Sequence, residues 1–411
     1  MTQPEAPLSL VVSFTNASDQ PCLAIIAKRT YSFTPGWPCT VAREQIPFDV
    51  EPTYHEAKGQ GGDTAAKADS DFLCHLKVGT DVVVQGSAHS LRGPVPSLDV
   101  SVGIVLPGEG RARYGSQLRV YGDRRVLDRG GGRPPAFSAP LPFASMPLTY
   151  DRAFGGRDIW AEKSHPDPRS QYLGQISKGP PERMSRYVYP RNPAGRGYLV
   201  HASPEALAGI ELPNIEVPWD PLTPERLSTD HIEDWPKAPV PGGFDWIEQS
   251  WFPRVAFMGA YRPSRCAANA FYEFRSGYLP PELFDVPLEK MLPRHDGTRS
   301  SMLERHIQRF VHGASPGLAT PPLTGYEMLV LTGMHPAHET LQIRLPNERP
   351  QMILEPPGGR ATEVNPVLRT VLVRSDDGLL TTVWTGSFVL EHPLWGEREK
   401  QVRHAVRWHA V

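Results

Sequence analysis

The 411-residue chain lacks the motifs that announce the common enzyme classes: it has no G-x-S-x-G, no Walker loop, no dinucleotide-binding glycine fingerprint and no H-E-x-x-H. Cysteine is scarce as well. Cys22, Cys39, Cys74 and Cys266 stand far apart with no C-x-x-C among them, so neither a zinc site nor a redox pair is announced, and reduced thiols are expected. A dominant charge is also missing, and the net charge of -2 provides no long-range field for nucleic acid or an anionic membrane. The longest apolar runs, such as Leu23 to Ala27, are too short to cross a bilayer. No basic segment followed by an apolar core opens the chain. A soluble cytoplasmic protein is the expectation.

What the chain has in excess is proline, 45 residues in all, about twice ordinary usage. Proline at that density opposes long helices and central strands, and it favours short strands joined by irregular connections. The length suffices for one large β-rich domain or two ordinary ones, each with a real core.

Leu8 to Phe14 and Cys22 to Phe33 read as an opening hairpin across the polar turn from Asn16 to Pro21. Val82 to His89 and Ser97 to Val105 alternate, and in the second of these Leu98, Val100, Val102 and Ile104 share one apolar face. Glu56 to Ala68 shows no periodicity and is expected to be mobile. From Arg157 to about Gly259 prolines separate aromatic islands. Trp219, Trp235, Trp246 and Trp251 argue there for long ordered loops over a β core rather than a disordered linker. A short helix is predicted at Pro204 with Ser203 as its cap. Leu303, His306, Ile307, Phe310 and Val311 mark the best amphipathic helix, near 300–312. Strands then resume at Tyr326 to Leu331, Leu341 to Leu345, Gln351 to Leu354, Arg369 to Arg374 and Leu379 to Leu390, with a hairpin turn at Ser375 to Gly378.

Candidate chemistry is thin. His335 and His338 form an H-x-x-H on a loop after a strand, where solvated or hydrogen-bonded histidines outnumber metal ligands. His404 and His409 miss the spacing of one helix face. The adjacent acids Asp376 and Asp377 read as turn residues, not as an acid–base pair. Gly130, Gly131 and Gly132 read as a hairpin tip. Seven arginines against Asp123 and Asp128 between Arg111 and Arg133 suggest an exposed basic hairpin, which offers either a solvated loop or a surface for an acidic partner.

Pro147 to Gly156 reads Pro-Leu-Thr-Tyr-Asp-Arg-Ala-Phe-Gly-Gly; if extended, it puts Leu148, Tyr150, Arg152 and Phe154 on one face. This decapeptide resembles the signature of the bacterial domain-of-unknown-function family 2169, associated with type VI secretion. Asp81 to His89, Val120 to Arg124, Asn192 to Gly197, Trp251 to Arg254 and Gly259 to Tyr261 resemble further family motifs in the same order. The chain departs from the family pattern around His312 to Pro316 and at Ala260.

The resemblance implies a cytoplasmic adaptor or chaperone, not an enzyme and without cofactor or metal. It would bind a toxin effector near its PAAR-like or N-terminal region, keep it soluble and load it onto the VgrG spike. The rival readings are an all-β carbohydrate hydrolase and a structural component of the secretion apparatus. Tyr150, Asp151, Arg152, Phe154, Gly155, Gly156, Trp251 and Arg254 carry the family motif, with structural or partner-contact roles. Arg119, Arg124, Arg125, Trp219, Trp235 and Trp246 are the candidate partner-binding residues. The expected fold is mainly β, a β-sandwich or barrel-like core with long proline-rich loops and few short helices. Its family domain would span residues 1–320, with β-rich structure over 1–156, a loop-rich aromatic middle over 157–299 and then the helix. A C-terminal β region, 321–411, would pack on the same unit.

Overall fold

The computed structural model describes residues 8–16, 20–56, 64–130, 135–166, 187–252, 254, 311–394 and 396–410. Strand Pro21–Ser32 is buried along almost its whole length, because its apolar and β-branched run has a neighbour on each side and a layer on each face. It pairs antiparallel with Leu8–Thr15 and with Leu379–Val389. Val367–Arg374, Thr80–Gln85 and Ala319–Thr320 complete the row, so strands from both ends of the chain alternate in one sheet. Strands 80–85 and 367–374 run parallel. A parallel pair needs a long crossover, and here the second sheet and the entire middle region lie within it.

The second sheet has the order Ile215–Glu216, Tyr114–Tyr121, Ser97–Val105, Met328–Thr332, Thr340–Arg344. As the alternation predicts, Val100, Val102 and Ile104 are buried. A third sheet joins Thr362–Val364, Glu348–Glu355 and Arg403–Ala410. Leu23, Val83, Ile104, Leu329, Met352 and Trp384 belong to one apolar cluster, so the three sheets share a core. Among the described residues no sheet closes into a barrel, and the barrel-like alternative falls away.

A second cluster forms in the proline-rich middle around Phe154, Tyr189, Tyr198, Leu222, Trp235 and Phe252. Regular structure is sparse there, yet the aromatics are packed, and Ser203 caps helix Pro204–Gly209 by accepting from the Ala206 N–H at 3.1 Å.

Several expectations are corrected. Val82 to His89 is two strands, because the chain leaves the first sheet at Gly86 and Ser87–His89 pairs with Ser145–Pro147. Within Glu56 to Ala68, Ala66–Ala68 is a strand against Thr53–Tyr54, with small alanines buried where no periodicity signalled it. The basic segment is not a single exposed hairpin. Tyr114–Tyr121 is an interior strand of the second sheet, and Val126–Leu127 with Ala136–Phe137 forms a separate short hairpin. The helix expected near 300–312 lies outside the described residues, apart from Val311 and His312.

On strand 80–85, from which the crossover departs, Asp81 is fully buried. Its carboxylate accepts from the Lys77 ammonium at 2.7 Å, from His312 Nδ1–H at 2.6 Å and from the Gly313 N–H at 2.9 Å. Lys77 also donates to Thr370 Oγ1 at 3.1 Å and lies 5.1 Å from the Trp246 ring centre. Burial opposes ionisation of Asp81, but Lys77 and His312 outweigh it and hold the carboxyl well below the usual carboxylate range.

Asp81→Asn therefore leaves Lys77 buried without its counter-charge, and equilibrium denaturation at neutral pH is expected to show a loss of about 3–5 kcal/mol. Because the folded pKa is depressed, the stabilisation is fully present above the unfolded value of about 3.9 and fades as pH falls toward the folded one. The gap between wild type and Asp81→Asn should shrink in acid; a constant gap from neutral to acid pH overturns this assignment.

Candidate functional site

The decapeptide Pro147 to Gly156 is not a continuous extended segment. Tyr150–Arg152 forms a 3-10 turn, and Phe154–Gly155 then pairs in parallel with Arg196–Gly197. The turn breaks the expected alternation, so Tyr150 and Phe154 enter different clusters. Tyr150 is buried, stands edge-on to Trp251 at 5.6 Å, and donates its hydroxyl to Ser315 Oγ at 2.9 Å, while Ser315 donates to the Gly243 carbonyl. Burial pushes the Tyr150 hydroxyl above its ordinary range. Phe154 packs edge-on to Tyr189 at 5.2 Å and Tyr198 at 6.4 Å.

Two segments singled out in the sequence fold onto each other here. Asn192 has no exposure, and its Nδ2 donates to the Tyr150 carbonyl at 2.8 Å and the Phe154 carbonyl at 3.0 Å. Its own carbonyl accepts from the Gly156 N–H at 2.8 Å, and the Arg196 and Tyr198 N–H groups reach the carbonyls of Ala153 and Gly155. Gly155 and Gly156 adopt φ of 150° and 94°, and a Cβ would stand 2.1 Å from the Asn192 carbonyl oxygen or 2.4 Å from that of Gly195. The diglycine is required by backbone packed on backbone.

The charged motif residues serve the same knot. Arg196 donates from Nε to the Asp151 carbonyl at 2.8 Å and pairs with Glu211 at 2.9 Å, while Asp151 Oδ2 is 3.8 Å from Arg196 Nη2. Arg152 donates to Asn214 Oδ1 at 3.2 Å, and its carbonyl accepts the Asn214 N–H at 2.8 Å. Arg254 is buried against Asp69 at 2.8 Å and also donates to the carbonyls of Val311 and Ile247. Beside the knot lies a cleft of about 80 Å³ whose lining includes Asp151, Trp160, Arg196, Ile210 and Glu211.

Sequence inspection missed Asp158, which has no exposure. One carboxylate oxygen caps helix Ile159–Ser164 and the other accepts the Val200 N–H at 2.8 Å. An Asp before an apolar helix start was the available signal.

The candidate partner residues separate sharply. Trp235 and Trp246 are buried, and core packing replaces the contact role expected of them. Arg124 is partly buried, with only 7% of its side chain exposed: it pairs with Glu216, donates to the Pro213 carbonyl and stacks 4.1 Å from the Tyr121 ring centre. Arg119 lies at the surface in a two-pronged pair with Asp99, its cross-strand neighbour, at 2.7 and 2.8 Å. Arg125 is exposed, and Trp219 is 74% exposed. Trp37, which sequence inspection passed over, is 75% exposed. Both exposed tryptophans sit on turns flanked by proline. The Trp37 N–H donates to the Thr34 carbonyl at 3.0 Å across Pro35 and Gly36; the Asp220 N–H donates to the Val217 carbonyl at 3.1 Å across Pro218 and Trp219. Asp220 ties down the second turn by accepting from the Val240 N–H at 2.7 Å and Arg226 at 2.6 Å.

A family model described as "Uncharacterized protein conserved in bacteria (DUF2169)" matches residues 18–385. No curated protein and no solved structure matches the chain.

The knot geometry predicts that Gly155→Ala lowers stability by about 2 kcal/mol or more, through overpacking and backbone strain. Arg152→Lys, which forfeits one partly buried hydrogen bond, should cost about 1 kcal/mol. Thermal and denaturant unfolding of both variants checks the order, and a larger loss for Arg152→Lys than for Gly155→Ala overturns it.

Proposed function

The chain belongs to the bacterial DUF2169 family, and from that premise we propose that it is an adaptor for a type VI secretion toxin effector. It binds the effector near its PAAR-like or N-terminal region, keeps it soluble in the cytoplasm and delivers it to the VgrG spike without being ejected. Binding alone is asked of it, with no catalysis and no cofactor.

The observation that supports a binding protein most directly is the pair of exposed tryptophans, Trp37 and Trp219, on proline-stiffened turns. Tryptophan is the commonest interface anchor, and a turn already held in place loses little entropy on docking. Arg125 and the Arg119–Asp99 pair add polar surface. The motif cleft gives the hydrolase reading little support. Its acids Asp151 and Glu211 both close on Arg196, and its 80 Å³ volume is well below the roughly 300 Å³ at which ligand pockets begin.

Co-expression with the products of neighbouring genes, followed by affinity pull-down and a solubility assay, tests the proposal. A PAAR-bearing toxin that is insoluble alone should be recovered soluble in complex. Trp219→Ala and Trp37→Ala should reduce recovery at least tenfold while shifting stability by no more than about 0.5 kcal/mol, as expected for surface substitutions. Failure to bind any such neighbour, or ejection of the chain together with the spike, overturns the adaptor reading.

A further inference from the structure

The H-x-x-H of the sequence gains two neighbours in the fold. His335 and His338 lie on the loop between strands 328–332 and 340–344, which is closed by the Gly333 N–H donating to the Glu339 carbonyl at 2.9 Å. The Gly333 carbonyl in turn accepts the His89 N–H at 2.9 Å, so the end of strand Ser87–His89 is pinned to the base of the same loop. His89 Nε2–H donates to Asp376 Oδ1 at 3.1 Å, and the second Asp376 oxygen accepts from Ser87 Oγ at 2.9 Å. Three imidazoles from two separate segments, with a carboxylate from a third, therefore meet at one region of the surface.

We propose that His89, His335 and His338 form a binding site for a divalent transition metal of the zinc type, with Asp376 as the positioning residue behind His89.

The His89 half is already built. A carboxylate that accepts one ring N–H fixes the tautomer and leaves the opposite nitrogen, here Nδ1, with its lone pair free for a metal, the usual arrangement behind a metal-binding histidine. The loop half has suitable spacing. Tetrahedral Zn–N bonds of about 2.0–2.1 Å place the centres of two ligating imidazoles about 5 Å apart, and the ring centres of His335 and His338 are 4.8 Å apart. His335 lies near enough to His338, His89 and Asp376 to feel the charge of each, so the four groups share one neighbourhood. Among the described residues no three such donors stand ready-made around one point. Closure asks for side-chain rotation on the loop, where His338 is exposed. His335 Nδ1 now accepts the Ala337 N–H at 3.1 Å, and a metal bound through that nitrogen would displace this contact.

The test uses the full chain without a histidine tag, stripped with a chelator and titrated with Zn²⁺ by calorimetry and with Co²⁺ by absorption spectroscopy. One ion per chain is expected, with a cobalt spectrum typical of tetrahedral nitrogen coordination. His89→Ala and His338→Ala should each weaken binding at least about tenfold, and Asp376→Asn about 10–100-fold. His409→Ala, on a different strand, should leave it unchanged. Thermal melts establish that each variant is folded, and His338→Gln serves if the alanine variant is not. Absence of binding at micromolar zinc, or binding that survives all three cluster substitutions, overturns the site.

Discussion

The carboxylate of Asp81, wholly buried and held by Lys77, His312 and the Gly313 N–H, is the constraint through which the main sheet and the crossover meet. An ion in that position is tolerated only when nearly every lone pair is occupied, since desolvation exceeds any single ion-pair gain. The partners lie on the connection before strand 80–85 and on a loop inside the long crossover. Residues 312 and 313 thus dock at the start of strand 80–85, where it pairs in parallel with 367–374.

Around that frame, the decapeptide and the Asn192 loop interlock mainly through backbone groups. Asn192 acts as a second peptide unit, donating twice and accepting through its own carbonyl. Contacts of that kind tolerate no Cβ at Gly155 or Gly156, so this segment is occupied with holding the fold. Surface presentation is left to residues outside it, on turns such as those carrying Trp37 and Trp219.

Legibility in the sequence followed the strength of local pattern. Strand 97–105, the hairpin at Ser375 to Gly378 and the cap at Ser203 were all readable because period, turn chemistry and capping act within a few residues. Arg403–Ala410 went unread: its alternation is short, with Val406 and Trp408 partly buried against the core among arginines and histidines, and it becomes a strand by pairing along its length with 348–355. The same holds for Tyr114–Tyr121, whose Arg119 reads as loop charge until Asp99 stands opposite it.

For the functional surface, residue type was visible in the chain and exposure was not. Four tryptophans of the middle region look alike in sequence, but Trp235, Trp246 and Trp251 pack inside while Trp219 projects 74% exposed. Arg124 and Arg125 are neighbours with different fates, one with its side chain held against Glu216 and Tyr121 and one exposed. The sequence by itself determined the mainly-β class, the family and the list of chemically capable side chains, because composition, periodicity and motifs are local properties. Only the tertiary structure decided which of those side chains reach solvent and which histidines share a neighbourhood, because burial and convergence depend on partners tens to hundreds of residues away.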